Sequence, residues 1–448
     1  MERDLAKAIE DFDRAVNVEA LRRIKDIGEP HCIHLAIIRS EWFCAEHDLL
    51  LKRLKYVEAG YDQGLQCMEG TRESLLKRVV SWATNESGQK DEGNIYWIYG
   101  LPGIGKTSLA HSICASLHEQ KQLAGAFFCR RDDHESNEPR NILPTLIHKL
   151  AIIFPPFRRI VAGHLNKDPN VTPESMKPTL FLDFIREIRR PPTHTLVFVI
   201  DAFDECGNTD SRPNILRALT GAAAHAPWLK VIITSRPEVD IQRSFNSLVQ
   251  SSYLQHDLTE DREALADLKT FAQRRFRKVA SDRRLESPWP EQSLLDGVVS
   301  RAAGLFIFIE TIARALKKCE DPTAYLKATL QSSAGTGLTA LYGLYSSIVI
   351  TRVEHSQTHF RRMVGVLLAA APYRPLCEET IIELAGVRPD LVKMWVEDLS
   401  SLLYRDEGVN GGIRVRHLSI SDFFLSDESQ GAIRSASETG MWSWGLLA

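Results

Sequence analysis

No stretch of this 448-residue sequence stays apolar for the roughly 20 residues that a membrane-spanning helix needs. The charged start, Met1-Glu-Arg-Asp-Leu5, does not read as a secretory signal. Charge of one sign is scarce: 55 Lys and Arg meet 58 Asp and Glu, for a formal net charge of −3. Neither nucleic acid nor an acidic membrane surface is therefore expected as the main partner. The eight cysteines, at 32, 44, 67, 114, 129, 206, 319 and 377, include no Cys-x-x-Cys pair and read as reduced thiols of a cytoplasmic protein. His31, Cys32, His34, Cys44 and His47 are metal-competent types, but their spacing fits no standard finger and neighbours such as Ile37, Trp42 and Phe43 read as helix core. No self-similarity recurs at a period of about 20–50 residues, which excludes a solenoid or propeller.

What the sequence does contain is a glycine loop between a short apolar run and a helix-spaced stretch. Gly100, Leu101, Pro102, Gly103, Ile104, Gly105, Lys106 and Thr107 match Gly-x-x-x-x-Gly-Lys-Thr, with Ser108 next. Such glycines let backbone N–H groups crowd around phosphate oxygens at the positive end of a helix dipole. In this pattern the lysine, Lys106, reaches the β- and γ-phosphates and the hydroxyl of Thr107 coordinates Mg²⁺. The run Asn94-Ile-Tyr-Trp-Ile-Tyr99 predicts a buried strand before the loop, and Leu109, Ile113 and Leu117 predict a helix after it.

A second apolar run, Leu196-Val-Phe-Val-Ile200, predicts a strand buried on both faces of a parallel sheet. It ends in Asp201-Ala-Phe-Asp204-Glu205. Asp201 is expected to make the second Mg²⁺ contact, and Asp204 and Glu205 to orient or deprotonate an attacking water. A third run, Val231-Ile-Ile233, leads into Thr234-Ser235-Arg236. Arg236 is a candidate γ-phosphate contact; its alternative is a structural arginine.

This alternation predicts an α/β P-loop NTPase fold: a parallel sheet with helices on both faces and nucleotide at the carboxyl ends of the strands. A further strand is expected over 125–129, and helices over 140–153, 178–189 and 213–225. After about residue 258 strand signals give way to helical patterns over 260–280, 291–317 and three stretches within 338–404. A Gly-rich turn over 408–412 then suggests a hairpin, and helices followed by a hairpin suggest a winged-helix unit. The expected divisions are an N-terminal helical segment (1–60), the NTPase core (61–255), a helical domain (256–337), a winged-helix-like domain (338–425) and a loose tail (426–448). The amphipathic segment 1–60 calls for a partner surface, within the chain or on another protein.

These motifs resemble the NACHT type of signal-transduction P-loop NTPases, in the STAND class that includes NOD-like receptors, and most closely its filamentous-fungal branch. The resemblance spans about residues 61–425. Cys67-Met-Glu-Gly-Thr-Arg72 resembles the lead-in before the P-loop; Phe127, Phe128 and Arg130 resemble the second-strand motif. Asp201–Glu205 is similar to the NACHT form of Walker B, and Thr234–Glu238 to the sensor strand. Gly304-Leu-Phe-Ile307 resembles the helical-domain motif, although Phe306 stands where animal and plant relatives usually carry proline. His417-Leu-Ser-Ile-Ser-Asp-Phe-Phe424 resembles the winged-helix motif whose histidine contacts the diphosphate in resting members. The resemblance thus implies Thr71 and Arg72 beside the adenine and His417 at the diphosphate. The residues alone equally allow an ordinary helix start at Thr71 and Arg72 and a packed core histidine at 417.

The implied activity is that of a switch: ATP or ADP bound with Mg²⁺, slow ATP hydrolysis, and homo-oligomer formation on activation in fungal innate-immunity or self/non-self signalling. No Asn-Lys-x-Asp guanine motif is present, since Asn166-Lys-Asp-Pro169 departs from it, so ATP is expected over GTP. Relatives usually continue into a repeat-built sensor, whereas this sequence stops at Ala448. Two other classes stay open on the residues: a P-loop ATPase with steady turnover, and a non-hydrolysing scaffold stabilised by nucleotide.

Overall fold

Five short strands pair in parallel, three of them rich in β-branched and aromatic residues: β1 (Ile95–Tyr99), β2 (Leu123–Phe128), β3 (Leu196–Asp201), β4 (Leu229–Ser235) and β5 (Tyr253–Asp257), the rich ones being β1, β3 and β4. Their order across the sheet is β2-β3-β4-β1-β5. Helix α1 (Glu73–Ala83) precedes β1, and α2 (Lys106–Glu119) joins β1 to β2. Between β2 and β3 come α3 (Ile142–Ile153), α4 (Pro155–Lys167) and α5 (Pro178–Arg186). Helix α6 (Arg212–His225) joins β3 to β4, and α7 (Val239–Asn246) joins β4 to β5. The computed structural model describes residues 47–426, apart from 55, 86–92, 169, 171, 173–175, 250–251, 262, 287, 333–334, 354–355 and 407–410. The expected helices before residue 47, the group His31, Cys32, His34 and Cys44, and the tail beyond 426 lie outside the described residues.

Every residue of β3 and β4 is buried, which is why both read as unbroken apolar runs. Side chains alternate between faces, and helices cover each. On one face Tyr96 meets Trp82 of α1 edge-on at 5.2 Å; on the other Trp97 stacks on Phe245 of α7 at 4.5 Å. Trp97 also donates its indole N–H to the hydroxyl of Ser235 at 2.9 Å. Buried Lys230 in β4 is compensated by Trp82, which offers its ring and its carbonyl to the ammonium. Helix α2 is buried well beyond the expected stripe of Leu109, Ile113 and Leu117. The segment before α1 wraps over it: His111 Nδ1 accepts from the N–H of Asp62 at 2.9 Å, and Ser112 Oγ from that of Cys67 at 2.8 Å.

Residues 143–191, with α4, α5 and most of α3, form a compact unit together with the segment up to Tyr56. Its interior holds Phe157 against Phe184 at 6.2 Å, and Arg53 is tied to the carbonyl of Leu165 at 2.7 Å. The remainder, 57–142 and 192 onward, is the second unit and carries the whole sheet.

Beyond β5 the chain is helical: α8 (Ala264–Arg283), α9 (Gln292–Ala302), α10 (Phe306–Leu316), α11 (Pro322–Ser332), α12 (Leu338–Val353), α13 (Gln357–Ala370), α14 (Glu378–Ala385) and α15 (Pro389–Asp398). An antiparallel pair, β6 (Leu403–Asp406) and β7 (Gly412–Val415), follows, then α16 (Leu418–Leu425). Aromatic contacts hold this region: Phe360 meets Trp395 at 5.3 Å and Phe424 at 6.0 Å. Among the described residues no helix is long and apolar enough to cross a membrane.

The expectations left out β5, α4, α7, α11 and α16, and gave three helices within 338–404 where the structure has four. Strand β5 lies at the sheet edge, so its half-buried Tyr-Leu-Gln-His-Asp carries no apolar run. Helix α4 opens with Pro155-Pro156, which reads as a break but occupies the first turn, where proline removes no helical hydrogen bond.

Trp97 is therefore a joint between sheet, α7 and the tip of β4. Trp97→Ala is expected to lower the unfolding free energy by about 3–5 kcal/mol, and Ser235→Ala by only about 1 kcal/mol. Denaturant titration followed by circular dichroism measures both; equal small losses would remove Trp97 from this role.

Candidate functional site

The placement of β4 between β1 and β3 sets three strand tips side by side. Ile98 and Tyr99 of β1 register with Thr234 and Ser235, and Ile200 of β3 registers with Ile233. One residue on, the hydroxyl of Thr234 donates to Asp201 Oδ1 at 2.5 Å and accepts from the N–H of Ala202 at 3.0 Å. Ala202 takes a left-handed conformation, φ 52°, and a single 3₁₀ turn over Phe203–Glu205 follows. That turn brings Asp204 and Glu205 back to the strand tips. Asp204 Oδ1 accepts from the N–H of Arg236 at 2.9 Å, and Asp204 Oδ2 lies 3.3 Å from the Arg236 Nε. Glu205 Oε2 accepts from the N–H of Arg131 at 3.3 Å.

The glycine loop lies beside these acids. Gly103 and Gly105 have φ of 78° and 97°, which a side chain would strain. At Gly103 space forbids one as well: an added Cβ would lie 2.1 Å from the Ile307 Cγ2. Helix α10 thus starts hard against the loop, with the N–H of Ile307 donating to the carbonyl of Gly103 at 3.3 Å. Phe306 packs beside Gly105 and beneath the Arg72 guanidinium, 5.5 Å from its ring centre. Lys106 donates to the carbonyls of Gly100 and Leu101 at 2.8 and 3.0 Å. Pro102 and Ser108 are half-buried at the two ends of the loop, whereas Ile104 is buried. Thr107 is exposed, and its hydroxyl bonds to Asp201.

Burial shapes the charges. It raises the Asp201 carboxyl to about 6, against the hydrogen bonds from Thr234 and Thr107 and the charge of Lys106. It raises Glu205 to about 7, helped by neighbouring Asp204. Lys106 is lowered to about 8 by burial, against the pull of Asp204. His417, at the N-cap of α16, is lowered to about 4 by burial and then by Lys106 and Arg236. Its Nδ1 meets the Ser419 hydroxyl at 2.7 Å and accepts from the Ser419 N–H at 3.1 Å. Neutral His417 therefore carries its hydrogen on Nε2. The Cε1 of the ring lies 3.7 Å from the Cβ position of Gly103.

Of the residues expected at the site, the loop 100–108, Asp201, Asp204, Glu205, Arg236 and His417 are brought together. Thr71 and Arg72 are nearby but otherwise engaged. The hydroxyl of Thr71 donates to the carbonyl of Met68 at 2.6 Å and does not cap α1. Buried Arg72 pairs with Asp261 at 2.8 Å and donates to the carbonyl of Ile104 at 3.2 Å, so it fastens the loop from behind. The hydroxyl of Thr107 beside the carboxylate of Asp201 is a pair of hard oxygens that suits Mg²⁺. Asp204 Oδ2 is buried and has only the ion pair with Arg236 Nε, without a well-aligned hydrogen bond among the described residues, which leaves it able to accept from a water. An open cleft of about 690 Å³ runs past Asp204 and Glu205, bordered by Arg131, Asn208, Arg212 and Glu238.

Two residues at the site were not expected. Asp422 of α16 reaches Arg236 Nη2 with Oδ2 at 2.7 Å and Arg131 Nη1 with Oδ1 at 3.4 Å. The available signal was that Asp422 is the single charged residue of Leu-Ser-Ile-Ser-Asp-Phe-Phe-Leu. Arg131 carried none, as one of two adjacent arginines after β2. A second tie lies close by: Arg414 of β7 pairs with Asp132 at 2.8 Å.

The family model described as Nephrocystin 3, N-terminal, matches residues 70–236, from the lead-in to Arg236. No curated protein sequence matches the chain at a significant level. The chain is similar to the solved ADPNP–ADP complexes of the ORC2 protein of Aeropyrum pernix at 12% identity, over 85% of this chain and 97% of that one, TM-score 0.38. It is also similar to a signal transduction ATPase with numerous domains and a tetratricopeptide repeat sensor from Pyrococcus horikoshii. That match has 16% identity and covers 85% of this chain and 45% of that one, TM-score 0.41. A Walker-type ATPase of Pyrococcus abyssi is similar at 12% identity over 79% and 95%, TM-score 0.37. With the glycine loop after β1, the acid at the tip of β3 and an all-parallel sheet between helices, the fold is that of a P-loop NTPase.

Asp201 and Glu205 both titrate above the ordinary carboxylate range when folded, so their protons favour the fold. That contribution is whole below about pH 4 and is lost as pH rises through about 6 and 7. An Asp201→Asn, Glu205→Gln double variant without nucleotide should gain about 6 kcal/mol on the wild type between pH 4 and 8. Reading the difference between the two proteins cancels His111 and His417, whose shifts run the opposite way. A difference that stays level across this range in denaturant titrations would contradict the assignment.

Proposed function

We propose that this protein is a NACHT-type nucleotide switch that holds ADP or ATP with Mg²⁺ and hydrolyses ATP slowly to return to its resting form. One observation carries the reading: His417 of the C-terminal region lies against the P-loop at Gly103, while Ile307 of α10 bonds to the same glycine. A ligand seated on that loop touches both the sheet and the helical region, so a change in its phosphates changes the contacts between them.

The roles follow from the residues. The N–H groups of 100–108 and the Lys106 ammonium bind phosphate oxygens. Thr107 and Asp201 hold Mg²⁺, which neutralises phosphate charge when bound. Glu205, poised near neutrality, is the base for an attacking water, and Asp204 orients it through its buried Oδ2. Arg236 offers a guanidinium to the terminal phosphate. His417, neutral at pH 7, donates from Nε2 to a diphosphate oxygen. Arg72 fastens the loop through the carbonyl of Ile104, and with Thr71 it lies toward the adenine by the motif resemblance.

Moving such a switch from mostly off to mostly on requires about 5 kcal/mol of differential binding. Two or three charge-assisted phosphate bonds gained or lost are enough, at about 1.5–3 kcal/mol each. The fungal immune or self/non-self setting, and oligomer formation in the ATP form, are the biological side of this proposal. They rest on the motif resemblance.

Purified protein, denatured and chromatographed, is expected to release about one equivalent of ADP, and Lys106→Ala protein none. Glu205→Gln should keep ATP bound while slowing its hydrolysis by about 10²–10⁴-fold. An empty wild-type site with turnover of about 1 s⁻¹ or more would replace the switch by a conventional ATPase.

A further inference from the structure

The two acids assigned to water share a second feature. Each is held by the backbone N–H of an arginine whose guanidinium reaches a third carboxylate, although the Nε of Arg236 also stays 3.3 Å from Asp204 Oδ2. Arg131 donates its N–H to Glu205, and its guanidinium pairs with Asp422 Oδ1. Arg236 donates its N–H to Asp204, and its guanidinium pairs with Asp422 Oδ2. Asp422 therefore spans two guanidinium groups from two different strand tips, one on each oxygen. Guanidinium groups bind phosphate and carboxylate oxygens alike, so the two arginines beside the Asp204 and Glu205 acids could hold a terminal phosphoryl group that Asp422 now replaces.

Asp422 is held in that position by packing. Its neighbours Ile420, Phe423 and Phe424 are buried, with Phe423 against Tyr345 at 5.6 Å and Phe424 against Phe360 at 6.0 Å. The Tyr345 hydroxyl meets Ser419 at 2.9 Å, one turn before the aspartate. The helix thus presents a single charge, pre-aimed, with little entropy left to lose.

We infer that Asp422 determines the choice between nucleoside diphosphate and triphosphate. Its carboxylate and a third phosphate compete for Arg131 and Arg236, whereas a diphosphate makes no demand on them. ADP therefore binds with α16 in place, and ATP binds only by displacing Asp422 from the arginines. This rests on the nucleotide-switch reading above. It adds a residue that sets specificity without touching the diphosphate.

The experiment is calorimetric titration of the protein, first freed of any bound nucleotide, with ADP and with ATPγS, for wild type, Asp422→Asn, Asp422→Glu and Asp422→Asn with Arg236→Ala. Wild type should prefer ADP. Asp422→Asn should tighten ATPγS by about tenfold or more and change ADP by less than about threefold. Asp422→Glu should restore the wild-type ratio, and adding Arg236→Ala should erase the gain. Parallel shifts for both nucleotides, or none, would reduce Asp422 to a structural anchor and overturn the inference with the switch intact. A wild type that binds neither nucleotide would overturn the switch and the inference together. A second readout needs no variant: hydrogen exchange of wild-type α16 should quicken with ATPγS and not with ADP, and equal protection would count against displacement.

Discussion

Asp201 has about 1% of its surface in water, and the arrangement at the strand tips answers that burial. A buried carboxylate without compensation costs several kcal/mol, so it must be hydrogen-bonded, paired or protonated. Two hydroxyls, from Thr234 and Thr107, meet part of the need, and the residue shows in the raised pKa. Thr234 can do so only if β4 lies next to β3, and β4 in that position delivers Arg236 to Asp204. One buried acid thus links strand order, the placement of the arginine and the demand for a cation. The same logic places Lys106, whose ammonium is itself pushed toward neutrality by burial, within reach of the carboxylates. Nucleotide with its metal fits a place where opposite charges are held close but incompletely neutralised.

The parts of this plan that were legible in the sequence are those set by local chemistry. Strands β1, β3 and β4 are buried on both faces and leave apolar runs; the P-loop needs left-handed glycines and so leaves a spacing. Lys106, Thr107, Asp201, Asp204, Glu205 and Arg236 sit directly after such signals. Edge strand β5 faces fewer partners and keeps polar residues, so no run marks it. Helix α4 begins with the proline pair that locally signals a break. Arg72 shows a further limit: its motif suggests a ligand contact, and nothing local encodes the pairing of its guanidinium with Asp261, 189 positions away. Asp422 and Arg131 are 291 positions apart, and no local pattern encodes a pairing at that distance.

The C-terminal region meets the core through two kinds of contact with different consequences. Ile307 against Gly103 is a steric fit, insensitive to charge and intolerant of a single added carbon. The ion pairs, Asp422 with Arg131 and Arg236, and Arg414 with Asp132, are only partly buried. Such pairs contribute modestly to stability because desolvation offsets much of the Coulomb gain. Their value lies in being exchangeable: a guanidinium released by a carboxylate can be taken up by another anion at little net cost. A wholly apolar interface would close as firmly but could not respond to the number of phosphates.

Whether such an exchange moves anything depends on how α16 is anchored. Its apolar side chains are packed among Tyr345, Phe360 and the rest of the C-terminal helices, so α16 cannot slide away alone without exposing Phe423 and Phe424. Exposing two buried phenylalanines costs about 3–6 kcal/mol, more than a partly exposed ion pair returns. The lower-cost motion carries the helix together with its packing partners, and the Arg414–Asp132 tie must then part as well. On the switch reading proposed above, loss of one small polar contact would in this way be converted into displacement of a whole helical region.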